Sequence, residues 1–71
     1  MTELRLHREI YARGPVDEAA KTFESYATIT VGESDSHWLI GISAKTPARE
    51  RQIQNELANF ALGLTVKELQ S

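Results

Sequence analysis

The chain contains no cysteine among its 71 residues, which excludes disulfides, thiolate zinc sites and cysteine-held iron–sulfur clusters. Histidine is scarce too. His7 and His37 are the only imidazoles, and neither is surrounded by Asp or Glu at metal-ligand spacing, so the expectation is no metal and no cofactor. The four glycines are scattered at positions 14, 32, 41 and 63, which leaves no loop to cradle a phosphate. Charge of one sign is also lacking: the net charge is -2 with both signs interspersed, which argues against a nucleic-acid partner. No apolar run approaches the ~20 residues of a membrane span. Met1-Thr2-Glu3-Leu4-Arg5 has neither the basic start nor the apolar stretch of a signal peptide, so the expected location is cytoplasmic, away from membranes.

What is present is a complete sequence of periodicities. At 71 residues the chain reads as a single domain, 1-71, near the lower size limit for folding without covalent or metal staples. Residues 3 to 11 begin with the alternation Leu4, Arg5, Leu6, His7 of a half-buried strand, with Ile10 continuing the Leu4/Leu6 face. Gly14-Pro15 punctuates the chain and opens a helix, where proline is tolerated because its missing N–H would be unpaired. Asp17 and Glu18 are read as first-turn charges that complement the helix dipole. Val16, Ala19, Ala20 and Phe23 then recur at i, i+3, i+4 and i+7, with Tyr26 or Ala27 closing this helix.

Thr28-Ile-Thr-Val31 is a β-branched strand, Gly32 to Ser36 a polar turn, and His37 to Ser43 a second strand. Trp38, Ile40 and Ile42 lie on one face of that strand, and Leu39, Gly41 and Ser43 on the other. The two runs read as a hairpin. Thr46-Pro47 opens the second helix, with threonine as N-cap and proline at the first helical position. Ile53, Leu57, Phe60, Ala61 and Leu64 form its core stripe. Gly63 is a candidate C-cap, after which residues 64-69 admit two readings. One is a terminal strand through Leu64 and Val66; the other is a capping box, Thr65 to Glu68, that restarts a helical turn.

This order predicts an α+β fold: a two-layer β-α-β-β-α sandwich with a three-stranded sheet in the order 1-3-2 and both helices on one face. It is ferredoxin-like, without or with a short last strand. The outer strands then expose unpaired backbone, and the uncovered sheet face is a first candidate contact surface.

Residues that could carry chemistry are few. Ser34, Asp35, Ser36 and His37 lie together, but adjacent residues in a turn lack the spatial roles of a catalytic triad, and the turn reading is preferred. Arg49, Glu50, Arg51 and Glu56 make up the polar side of the second helix. Candidate partner contacts are Trp38, although its face is that of the core, Leu39 on the uncovered sheet face, Arg49, and the pair Asn55 and Asn59 beside the core stripe. The expectation is therefore a non-catalytic binding module with a protein partner, or a homodimer formed through an edge strand or the second helix. A very small enzyme using His37 or His7 as acid or base ranks lower, because neither has a positioned partner group.

Ile10-Tyr11, Ala19-Ala20-x-x-Phe23 and, after a three-residue gap, Ala27-Thr-Ile-Thr-Val31 resemble the small HxsD proteins. Asn55-Glu56-Leu57 is similar to that family's Asn-Asp/Glu-Tyr/Leu signature, whereas Asn59-Phe60-Ala61 departs from the Leu-Arg-Glu segment that follows it. The resemblance runs from about Ile10 to Leu57. It implies an accessory subunit that acts as scaffold or substrate holder beside radical-SAM proteins and a His-Xaa-Ser repeat protein. A second resemblance is to the small dimerising subunit of the KEOPS tRNA-modification complex, through Ile42-Ser-Ala-Lys45 and the helix that follows. That family usually has a longer link before its second strand than Ser25 to Ala27 provides.

Overall fold

The structure is a computed structural model and describes residues 1–70. Its elements run β1 (Thr2–His7), α1 (Arg13–Phe23), β2 (Thr28–Glu33), β3 (His37–Ser43) and α2 (Pro47–Leu69). The sheet order is β1-β3-β2, with β3 antiparallel to both neighbours, as the sequence predicts for an α+β fold of this order. β1 and β2 are consequently parallel to one another, with α1 as the crossover between them.

One sheet face and both helices share a single core. Leu6, Trp38, Ile40 and Ile42 from the sheet meet Val16, Ala19 and Phe23 of α1 and Ile53, Leu57 and Ala61 of α2. The register sets the layers of that face, because Leu6 pairs with Trp38, Leu4 with Ile40, and Ile29 with Ile42. Ile40, Ile42, Ile53 and Leu57 are fully buried. Each such side chain contributes roughly 1.5–3 kcal/mol by leaving water, so a few central residues carry much of the fold.

The strand bounds differ from the sequence expectation at two places. β1 stops at His7 instead of running to Tyr11, because the His7 carbonyl accepts from the N–H groups of Ile10 and Tyr11 and the chain turns there. Ile10 therefore points away from the Leu4/Leu6 face and is exposed. β2 runs past Val31 to Glu33, so the connecting turn is only Ser34 to Ser36. The Ser34 hydroxyl accepts from His37 N–H, and Ser34 N–H donates to the His37 carbonyl, which closes that turn.

The helix ends also differ in part. α2 starts as expected, with Thr46 Oγ1 accepting from Arg49 N–H at 3.1 Å and proline at the first position. α1 begins at Arg13, one residue before Gly14-Pro15, so Asp17 and Glu18 lie beyond its first turn. Asp17 instead pairs with Arg13 at 3.5 Å, one helical turn away. Gly63 does not end α2. The helix passes through it to Leu69, which excludes the terminal strand and leaves nothing for a restarted helix to do. Thr65 is likewise no N-cap: its buried hydroxyl donates to the Ala61 carbonyl one turn back, satisfying itself within the helix.

Candidate functional site

Four regions carry side chains that the core does not consume. The first is the uncovered sheet face. Alternation places Glu3, Arg5 and His7 of β1, His37, Leu39, Gly41 and Ser43 of β3, and Thr28 and Thr30 of β2 on it. Arg5 Nε donates to Glu3 Oε1 at 3.0 Å along the same strand. Leu39 is half-buried between Arg5 and Gly32, and Gly41 is covered by its neighbours Thr30 and Met1. This face is mainly polar and has no large apolar patch.

At one end of that face, the structure joins two residues that the sequence kept apart. His7 and His37 are register partners across β1 and β3, and their ring centroids lie 4.1 Å apart at a tilt of 43°. Only strand register could reveal this pairing, since 29 residues lie between them in the chain.

The second region is a polar knot at the start of α2. The sequence predicts Glu50 on the polar outside of the helix, but it faces inward and is 7 % exposed. Its Oε2 accepts from Ala44 N–H at 3.1 Å, and its Oε1 accepts from the Thr2 hydroxyl at 2.9 Å and lies 3.3 Å from the Met1 amino group. The Ala44 N–H bond, followed by the Thr2 hydroxyl, holds the Glu50 carboxyl below its ordinary pKa. One carboxylate thus ties β1, the end of β3 and the first turn of α2 together. Its spacing signalled this, because position 50 lies three before Ile53 and seven before Leu57, on the core stripe.

The third region is the far face of α2. Leu62, Val66 and Leu69 follow at i, i+4 and i+7, opposite the buried residues Ile53, Leu57 and Ala61. They are 42 %, 43 % and 80 % exposed. Leu69 and the exposed Ile10 line one shallow cleft, so the apolar stripe continues onto the β1–α1 connection. The fourth region is the pair of outer edges of β1 and β2, which pair with no further strand among the described residues.

The sequence candidates do not converge on a single site. Trp38 belongs to the core: its Nε1 donates to the Tyr11 carbonyl at 2.7 Å and the Arg8 guanidinium covers its ring at 4.8 Å, so its indole is withdrawn from any partner surface. Arg49 is exposed near the start of α2 and donates to Gln52 Oε1. Asn55 and Asn59 are exposed on the outward side of α2 and lead toward Leu62 and Val66. Leu62, Val66 and Leu69 lie off the core stripe that the sequence reading follows and are not among its candidates. Their i, i+4, i+7 spacing was legible.

No cluster of three or more potential metal ligands occurs among the described residues, and no helix among them is long and apolar enough to cross a membrane. Comparison with known protein families, with curated proteins and with solved structures finds no significant match.

Proposed function

We propose that this chain is a non-catalytic accessory module of the cytoplasm that binds a protein partner through the outward face of α2. The observation that carries this reading is the stripe Leu62, Val66 and Leu69, three exposed aliphatic side chains on the side of a helix whose other side already fills the core. Leaving such a stripe in water forgoes the burial energy that association recovers, and small domains commonly gain stability that way. The polar residues Asn55 and Asn59 border the stripe and supply the rim that specific interfaces use. The resemblance to HxsD proteins supports the same role, scaffold or substrate holder beside radical-SAM enzymes.

The test is reconstitution. Neighbouring radical-SAM and repeat-protein genes would supply the partners, and co-elution with the purified chain is the expected result. The double substitution V66D/L69D should abolish co-elution while leaving the fold intact, because neither side chain is in the core. Retained binding by that variant would overturn the assignment of the surface.

Self-association through the same stripe is the second reading, favoured by its i, i+4, i+7 spacing, which suits an antiparallel pairing of two α2 helices. Equilibrium sedimentation separates the two: a dimer that V66D/L69D converts to monomer supports self-association, and a monomer in both forms supports a distinct partner.

A further inference from the structure

We propose that His7 and His37 together form a binding site for a divalent, imidazole-preferring transition-metal ion such as Zn2+ or Ni2+. This inference is independent of the α2 surface and stands on the geometry of the sheet. Arg8 N–H donates to the Ser36 carbonyl at 3.0 Å, which makes Arg8 and Ser36 a hydrogen-bonded pair of the antiparallel ladder. The adjacent pair, His7 and His37, is therefore the non-hydrogen-bonded kind, in which opposing side chains approach most closely.

Both imidazoles project from the same open face, and their centroids are 4.1 Å apart. A tetrahedral zinc ion with Zn–N bonds of about 2.0–2.1 Å requires its two ring nitrogens about 3.3 Å apart, a bite that two neighbouring side chains of one sheet face can span once both rings turn out of their mutual contact and aim their lone pairs at a common point. Ser36 Oγ lies 2.6 Å from His37 Nδ1. In the tautomer that carries its proton on Nδ1, that nitrogen donates to the hydroxyl and the free lone pair lies on Nε2, the orienting role that outer partners play for metal-bound histidines. The His7 ring has no hydrogen-bond partner among the described residues and is free to turn toward the ion.

The donor set selects the ion. Two neutral imidazoles without a carboxylate suit zinc, nickel or copper, and disfavour magnesium and calcium. Both nearby cations are engaged, Arg8 with Glu33 and the Ser34 carbonyl, and Arg5 with Glu3. The protein supplies two ligands, so the remaining positions are open to water or to a donor from a bound partner.

Calorimetric titration of the untagged chain with Zn2+ and with Ni2+, with Mg2+ as control, tests the site. The expected result is one ion per chain with Zn2+ or Ni2+ and none with Mg2+. His7→Gln and His37→Gln should each weaken binding at least about tenfold, because the second imidazole acts at high effective concentration once the first is bound. Circular dichroism of both variants confirms that they fold. Absence of binding by the unsubstituted chain would overturn the proposal, as would binding that either variant retains in full, since the ion would then sit elsewhere.

Discussion

From Thr46 to Leu57, α2 is tied to the rest of the domain at every turn; from Leu62 to Leu69 it offers aliphatic side chains to the outside. The first half has its cap at Thr46, the carboxylate knot at Glu50, and Ile53 and Leu57 fully buried. The second half keeps Ala61 and Thr65 buried and Leu64 half-buried, while Leu62, Val66 and Leu69 are exposed. Length explains the difference. The 23 residues of α2 span about 35 Å at 1.5 Å per residue, whereas the seven residues of β3 cover only about 24 Å. The helix outruns the strands it packs on, in a molecule 37 Å along its longest axis. A helix built only to cover this sheet would be shorter. The surplus turns are the part most readily assigned to contact.

The largest expected effect separates the two halves most sharply. Leu57→Ala removes a fully buried side chain and should cost about 2–5 kcal/mol, the range for leucine truncation in a close-packed core. At 71 residues the whole domain is worth about 4–11 kcal/mol, so that one change removes much of its stability. Val66→Ala, nine residues on, should change stability by no more than about 0.5 kcal/mol, as surface substitutions do. Urea unfolding of both variants checks the contrast. Equal effects would mean that the second half of α2 is packed as tightly as the first.

Glu50 gives the next effect, and its signature is pH. Its carboxyl lies below its ordinary pKa in the folded chain, chiefly through the Ala44 N–H bond. The stability it contributes is therefore complete above the unfolded carboxylate pKa and is lost as pH falls through the folded value. Glu50→Gln should be less stable than the native chain at neutral pH, and the gap should close as pH is lowered and the native carboxyl takes up its proton. Thermal unfolding across an acid pH series measures this. A gap constant with pH would show that the ionised carboxylate contributes nothing beyond an amide of the same shape.

Thr46→Ala comes third. Loss of the hydroxyl that accepts from Arg49 N–H should cost about 1 kcal/mol, the usual value of an N-cap. Thr65→Ala, at a hydroxyl that donates within the other half of the helix, should cost less, because its bond to the Ala61 carbonyl duplicates one the backbone already makes. Chemical denaturation of the two variants in parallel ranks them.

Most of the fold was legible from local signals. The β-branched run Thr28 to Val31, the alternation of Trp38, Ile40 and Ile42, and the Thr46-Pro47 start each determine an element without reference to the rest. What escaped depended on partners distant in the chain or on residue type overriding position. Glu50 looked like surface because it is charged, although its spacing placed it on the core stripe beside the Ala44 N–H. The His7–His37 pair required the register of β1 on β3, which no local pattern encodes. β1 is shorter than its pattern predicts because Ile10 fits the apolar alternation, while the chain has already turned on the His7 carbonyl.

Gly63 is the remaining instance, and it yields the smallest expected effect with an informative sign. Glycine after an apolar stripe signals a helix end when the chain needs the left-handed conformation there. Here Gly63 has an ordinary helical backbone, with no positive φ, and a Cβ at that position would meet nothing within 4 Å. Gly63→Ala should therefore stabilise the domain by about 0.5–1 kcal/mol, since alanine loses less freedom than glycine within a helix. Were Gly63 a C-cap, the same substitution would force alanine into the left-handed region and destabilise the domain instead. Guanidinium denaturation of the single variant reads the sign directly. Destabilisation would shorten α2 to its anchored half and remove Val66 and Leu69 from the outward stripe, so the same measurement also bears on the surface assigned to partner binding.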